Sequence, residues 1–462
     1  MMQSPSSPNN TILTMPNTDN LTVRQFPADF SWGVATSAYQ IEGAARTDGR
    51  GASIWDTFSH TPGKIIDGST GDVACDHYHR YLEDVGIIAE LHADAYRFSI
   101  SWPRVQPLGS GAWNEAGFDF YARLIDALTE KNIAIHVTLY HWDLPQSLQD
   151  RGGWLNRDTT VYFAEYAAEV ARRFGNRVAT IATHNEPWCT ANLGHGTGQF
   201  APGMADPKAA IQVSHHLLLS HGLAMQSMRA VNSAAKLGIV LNQWTAMPAT
   251  AAQEDIDMAK LEYAKSVQWY MDPIFKGKYP DLALQHIDRA AFIIHENDLN
   301  DICQPIDFLG VNYYTRVFCS SATPKVLPEG KLGFSDMGWE NYPQGLTDLL
   351  TGLHQEYALP PVYITENGIA VADRVVDGVV NDQERITYVK HHLNALAAAM
   401  DQGVDVRGYF YWSLMDNYEW NSGYAKRFGL IHVDYATQQR LLKNSALWYR
   451  SFISSTRMQS GR

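Results

Sequence analysis

Two glutamates end apolar runs that lie far apart in the chain. Glu186 closes VATIATHNE (178–186) and precedes Pro187. Glu366 sits near the end of PVYITENG (361–368). Each has an amide neighbour, Asn185 and Asn367. Two carboxyl groups brought together from separate strands suit hydrolysis of a glycosidic bond. One protonates the leaving oxygen, and the other attacks the anomeric carbon or activates a water. The distance between them decides the stereochemical course, and at this level both courses stay open. Singly, either glutamate would be read as a strand-end ion pair, because Glu is ordinarily a surface residue. Their company changes that reading. Other apolar runs end in His141-Trp142, in Asn312-Tyr313-Tyr314, and in Trp412 leading to Glu419-Trp420. Flat aromatic faces suit the C–H faces of a sugar ring, and Asn, Gln, His and Glu suit its hydroxyls.

These residues converge only if the strands that carry them share one open end. The candidate strands are 30–36, 95–102, 133–142, 178–186, 236–242, 307–314, 361–368 and 406–413. Several are nearly unbroken in Val, Ile, Leu, Phe and Tyr, the pattern of parallel strands covered on both faces. Helical spacing lies between them. Phe163, Tyr166, Ala167, Val170 and Phe174 repeat over 159–174, and Ile386, Val389, Leu393, Leu396 and Met400 over 382–402. Asn381 with Glu384 predicts a capping pair at the start of the second helix. The alternation predicts a single (β/α)₈ TIM barrel with long βα loops, whose strand C-termini share one face. A doubly wound open sheet is the alternative, weakened because no G-x-G-x-x-G follows the first strand. The expected division is a disordered N-terminal tail (1–22), a catalytic barrel (23–456) and a C-terminal tail (457–462).

Composition narrows the classes of function. The 462 residues are 45% hydrophobic and 18% charged, which favours a large compact core. A net charge of −13 argues against nonspecific binding to nucleic acid or to an anionic membrane. No apolar run has the length of a membrane helix, and the polar start lacks the features of a secretory signal. The four cysteines, Cys75, Cys189, Cys303 and Cys319, are not at metal-ligand or redox spacing. A reducing cytoplasm is the expected compartment. Neither a metal nor another cofactor is expected. The histidines of 77–79, 215–216 and 391–392 read as surface or packing residues, and Cys189 as a small buried hydrophobe.

THNEP (183–187) and ITENG (364–368) resemble the two signatures of glycoside hydrolase family 1, the β-glucosidase family. The resemblance extends through 26–43, SISWPR (99–104), LYHWDLPQ (139–146), NYY (312–314), DNYEWNSGY (416–424) and RFGLIHVDY (427–435). It implies a retaining, exo-acting enzyme that removes terminal β-glucosyl residues, with galactosyl or fucosyl as further substrates. It makes Glu186 the general acid/base and Glu366 the nucleophile, with Tyr314 and Arg97 touching the nucleophile carboxylate. Gln40, His141, Asn185, Glu419 and Trp420 match the positions that hold the nonreducing sugar, and Trp412 its stacking floor. Trp339 in GWENYP matches the aromatic of the leaving-group site. Trp142, Asn312 and Phe428 fall within the same matched motifs on the substrate side.

Departures from the family pattern sharpen these expectations. His184 stands where an apolar or aromatic residue is usual. It is expected either to pack beneath Glu186 or to add a charge titrating near pH 6–7. His195 replaces a common Tyr on the leaving-group side. A 6-phospho-β-glucosidase is the second reading, opposed by Glu419, whose charge would repel a phosphate. A non-catalytic sugar-binding or sensor protein is the third, opposed by the survival of both carboxylates. Oligomeric state is not legible.

Overall fold

The computed structural model describes residues 22–231 and 233–459. Eight parallel strands close on themselves: β1 (Ser31–Ala35), β2 (Ala95–Ser99), β3 (Ala134–Tyr140), β4 (Thr180–Asn185), β5 (Lys236–Asn242), β6 (Phe308–Asn312), β7 (Val362–Asn367) and β8 (Val406–Trp412). Closure runs through β1, which pairs with β2 on one side and with β8 on the other, Ala35 facing Trp412. All eight strands lie within the expected segments. The second is trimmed because Trp102–Val105 turns helical around Pro103.

Below the open end the barrel is a packed core, as its narrow bore requires. Ala182, Val240 and Phe308 form one interior group against Tyr363. The His136 ring meets Phe410 at 4.7 Å. Gly33 on β1 admits this filling: a Cβ there would sit 2.4 Å from the Phe410 ring. Burial and the nearby Arg97 charge push His136 down to about 3, so it stays neutral. The polar residues of the site therefore rest on an apolar plug.

The helix Asp158–Phe174 buries Phe163, Tyr166, Ala167, Val170 and Phe174, the stripe its spacing predicts. The helix Gln383–Met400 buries Ile386, Val389, Leu393 and Leu396. Its predicted capping pair does not form. Asp382 occupies the cap position, and its carboxylate is taken by Arg385 and by the Ser445 amide (2.8 Å) and hydroxyl (2.5 Å). Asn381 instead accepts from Asn444 at 3.2 Å. The last helix, Asn444–Gln459, runs past the expected barrel end at 456, and Arg457 bonds Asp94 and the His92 carbonyl. The expected N-terminal tail, except Thr22, and residues 460–462 lie outside the described residues. Among the described residues, no helix is long and apolar enough to cross a membrane, and no cluster of His, Cys, Asp and Glu could hold a metal ion.

Beyond β8 the chain enters the loop that carries Glu419 and Trp420. A buried charge network anchors its first residue. Asp416 accepts from Lys443 (2.6 Å), Arg427 (2.6 Å) and the Gly429 amide (3.0 Å). Lys443 also reaches Asp373 (2.5 Å), which pairs with Arg385 (2.9 Å). Three cations thus face three carboxylates, counting Asp382. Breaking one member of such a network strands a buried charge. Asp416→Ala is expected to cost about 3 kcal/mol, read as a lowered melting temperature in scanning calorimetry. Asp401→Ala, which breaks an exposed pair with Arg24, should change it little. Equal losses in the two variants would contradict the anchoring role.

Candidate active site

The ends of β2, β3, β4, β6, β7 and β8 deliver the predicted side chains to one mouth. Strand alternation and one β-bulge do the sorting. On β4 the pairing with β5 is irregular between Ala182 and Asn185, so Thr183 and His184 both turn out toward the helices, onto His221 and Ser220, and Asn185 turns into the barrel. On β6, Asn312 turns inward, in register with Asn242 of β5 and Glu366 of β7.

Arg97 on β2 lies at the centre, 2% exposed. One amino group donates to Glu366 Oε1 (2.7 Å), and the other to Asn185 Oδ1 (2.7 Å). The Tyr314 hydroxyl donates to the second oxygen, Glu366 Oε2, at 2.7 Å. Across the mouth, Glu186 receives only neutral donors. The Asn312 side-chain amide gives to Oε1 at 2.7 Å, and the Cys189 thiol gives to Oε2 at 3.1 Å. Asn312 also donates to Asn185 Oδ1 (3.0 Å) and accepts from Thr365 (2.7 Å), so one amide links both carboxylate strands.

This asymmetry sets the protonation states. Burial raises the pKa of both carboxyls. For Glu366, Arg97 opposes that rise by charge and hydrogen bonding, with further bonds from Tyr314 and Asn312. Glu186 is pushed up to about 8 by burial first and by the Glu366 charge second. The proton shared by the pair therefore belongs to Glu186, and the charge to Glu366. Glu419, also raised to about 8 by burial and by these two neighbours, is the third carboxyl of the pocket.

Around the carboxyls stands a ring of polar and flat groups. His141 accepts from Asn185 Nδ2 at 3.1 Å through Nε2, which puts its proton on Nδ1. Burial and Arg97 hold its pKa well below the usual value. That Nδ1 is buried and has no partner among the described residues. Gln40 is held by Ser37 (2.6 Å), and its amide nitrogen reaches Asn417 (3.0 Å) and Glu419 (3.5 Å). The His141 ring lies nearly parallel to Trp412 (20°) and to Trp420 (18°). Trp142 spends its indole N–H on the Asn185 carbonyl (2.8 Å) and packs on Trp420 at 4.5 Å. It is a wall behind the ring, with no free polar edge. Trp339 and Phe428 close the other side, against Tyr314 at 5.4 and 6.1 Å. Trp339 and Tyr314 stay partly exposed.

The backbone is left-handed at three of these positions: Trp142 (φ 80°), Glu186 (φ 49°) and Trp420 (φ 50°). Non-glycine residues rarely adopt that region, and such strain gathers at functional sites. Glu186 also precedes Pro187, which disfavours right-handed helical geometry there.

Two expectations need correction. His184 neither lies beneath Glu186 nor titrates near neutrality. Its ring stacks on Phe163 at 4.5 Å, with Nε2 against the Ser220 hydroxyl at 2.8 Å. Burial, with His221 nearby, drives its pKa well below the usual value. Cys189 is buried, as expected, yet it is more than a small hydrophobe, because it touches Glu186. Its place follows from the helical turn after Pro187, where its amide donates to the Glu186 carbonyl at 2.9 Å. The three-residue spacing was the available signal. Thr365 and Asn242 were also missed. The register of parallel strand ends brings Asn242 beside Asn312, and that register is not written in any one strand. His195 is buried, with Nδ1 on the Thr190 carbonyl at 2.8 Å.

Replacing His184 by Phe should leave the pH dependence of catalysis superimposable on that of the parent protein. A displaced acid limb in His184→Phe would restore a titrating role to His184.

Known proteins fit this geometry. A β-glucosidase A of Acetivibrio thermocellus is 48% identical over 445 residues, covering 93% of this chain and 98% of that protein. A bifunctional β-D-glucosidase/β-D-fucosidase of Bifidobacterium breve is 43% identical, covering 93% and 98%. Among solved structures, a family 1 β-glucosidase from Thermotoga maritima superposes with a TM-score of 0.91 at 45% identity, covering 94% and 99%. The same T. maritima enzyme has been solved with deoxynojirimycin and with galacto-hydroximolactam. The sequence profile of glycosyl hydrolase family 1 matches residues 22–458. With its closed parallel barrel and these relatives, the chain belongs to glycosyl hydrolase family 1 and is a glycoside hydrolase.

Proposed function

We propose that the protein is a retaining, exo-acting β-glucosidase. It removes terminal β-D-glucosyl residues from cello-oligosaccharides or from aryl and alkyl β-glycosides, and accepts β-galactosyl or β-fucosyl residues as well. The observation that carries this reading is the unlike setting of the two carboxyls: Glu366 is fixed by the Arg97 cation and the Tyr314 hydroxyl, and Glu186 has only an amide and a thiol as donors.

In the first step a Glu366 oxygen attacks the anomeric carbon. The bond to the leaving oxygen breaks, and Glu186 gives that oxygen its proton. The product is a glycosyl ester of Glu366 and an ionised Glu186. Esterification removes the Glu366 charge, so the pKa of Glu186 falls and the carboxylate is suited to act as base. In the second step Glu186 takes a proton from water, whose oxygen attacks the same carbon, and the ester bond breaks. Two inversions return the original configuration.

The remaining residues hold the sugar. The unpartnered His141 Nδ1, the Gln40 amide and the Glu419 carboxyl offer hydrogen bonds to hydroxyls. Asn185 is poised for the 2-hydroxyl, where contacts strengthen in the transition state. Trp412 is the stacking floor, and Trp339 borders the leaving group. Glu419 in the ring opposes a 6-phosphorylated sugar, and both carboxyls oppose a binding-only protein. The wider substrate range rests on the Bifidobacterium relative, named for both glucosidase and fucosidase activity, and on the galacto-configured ligand of the Thermotoga enzyme. A cytoplasmic setting agrees with four free cysteines, three of them buried, and a part in cellulose breakdown follows from the cello-oligosaccharide substrates.

Glu366→Ala should lower turnover of an aryl β-glucoside by about 10⁴-fold or more. Added azide should then restore turnover as the α-glucosyl azide. Undiminished activity in that variant, or a β-configured azide product, would contradict the assignment.

A further inference from the structure

The two oxygens of Glu186 have unlike partners. Oε1 faces the Asn312 amide at 2.7 Å, and that nitrogen can only donate. Oε1 therefore accepts in every protonation state, and because the carbonyl oxygen of a carboxylic acid is a better acceptor than its hydroxyl, the proton is favoured on Oε2. Oε2 faces the Cys189 thiol at 3.1 Å. A thiol is a weak donor and a weak acceptor, so it can serve either state of the carboxyl without holding it tightly. Burial and the neighbouring carboxylates raise the pKa of Cys189 well above the usual value, so it meets Glu186 as a neutral S–H. Its place is fixed by the backbone bond from the Cys189 amide to the Glu186 carbonyl (2.9 Å).

We propose that Cys189 is a positioning residue for Glu186: the Asn312 amide fixes Oε1 as acceptor, and the Cys189 thiol steadies Oε2 weakly enough for its proton to leave. The proposal rests on Glu186 being the acid/base. The choice of partner is chemical. A hydroxyl at this point would donate more strongly to the ionised carboxylate and favour loss of the proton. An apolar side chain would give the ionised form nothing.

The test is the pH profile of kcat/KM for phenyl β-glucoside, whose leaving group needs a proton. Its alkaline limb reports the acid of the free enzyme. Cys189→Ser should move that limb down by about half a pH unit, and Cys189→Ala should move it up by a similar amount. With 2,4-dinitrophenyl β-glucoside, whose leaving group needs little protonation, kcat/KM at the optimum should stay within about twofold of the parent protein in both variants. A purely space-filling cysteine predicts shifts in melting temperature with both alkaline limbs unmoved, and that result would overturn the proposal. If either variant fails to fold, the other still gives a signed shift to compare with the parent protein. Glu186→Ala separates the two levels of the argument. If it keeps full activity on phenyl β-glucoside, the acid/base reading itself falls. If it loses that activity while the Cys189 variants keep the parent profile, only the positioning role falls.

Discussion

The buried Arg97 guanidinium is the contact on which the site depends. It stands above an apolar plug and spans from β2 to Glu366 on β7 and Asn185 on β4. A full positive charge in so dry a place is tolerable only when paired and hydrogen-bonded. The pairing fixes one carboxylate as the charged member of its couple. Burial first, and that charge second, raise the proton affinity of the other, which has only an amide and a thiol for company. Two chemically identical side chains thereby acquire opposite roles.

The barrel makes this arrangement possible by geometry alone. Strands that are distant in sequence end on one rim, and their register sets which side chains meet. Asn312 illustrates the result: from β6 it touches Asn185 and Glu186 at the end of β4 and Thr365 on β7, joining three strands in a single hydrogen-bonded patch. The outer loops add what the rim lacks. The 416–424 loop brings Glu419 and Trp420 over the mouth, and the salt-bridge network beneath it keeps that loop in place.

Much of this is legible in the sequence. Unbroken apolar runs marked the buried parallel strands, and the polar residues at their ends marked the rim. Helical stripes such as Phe163 to Phe174 gave the outer layer. The failures have physical causes. Adjacency links His184 to Glu186 in the sequence, yet the β-bulge between Ala182 and Asn185 breaks the strand alternation and sends His184 into the helix layer. Asn381 was chosen as a cap from local pattern alone. The competing partners of Asp382, Arg385 and Ser445, come partly from a segment some sixty residues away. Cys189 looked inert because cysteines usually are, and only the turn at Pro187 aims its thiol at the carboxyl. Local signals found the elements. Contacts set by register and by turns had to be seen.

The central claim is that Glu186 keeps its proton through burial and through the charge that Glu366 keeps. It is tested most directly by ¹³C NMR titration of glutamate side-chain carboxyls. The Glu186 resonance is followed in the free enzyme, and again after Glu366 has been esterified by a slow 2-deoxy-2-fluoro-β-glucoside. The free enzyme should show Glu186 titrating near 8, and the esterified enzyme should show it lower by at least about one unit. A Glu186 titration unchanged by loss of the Glu366 charge would contradict the account.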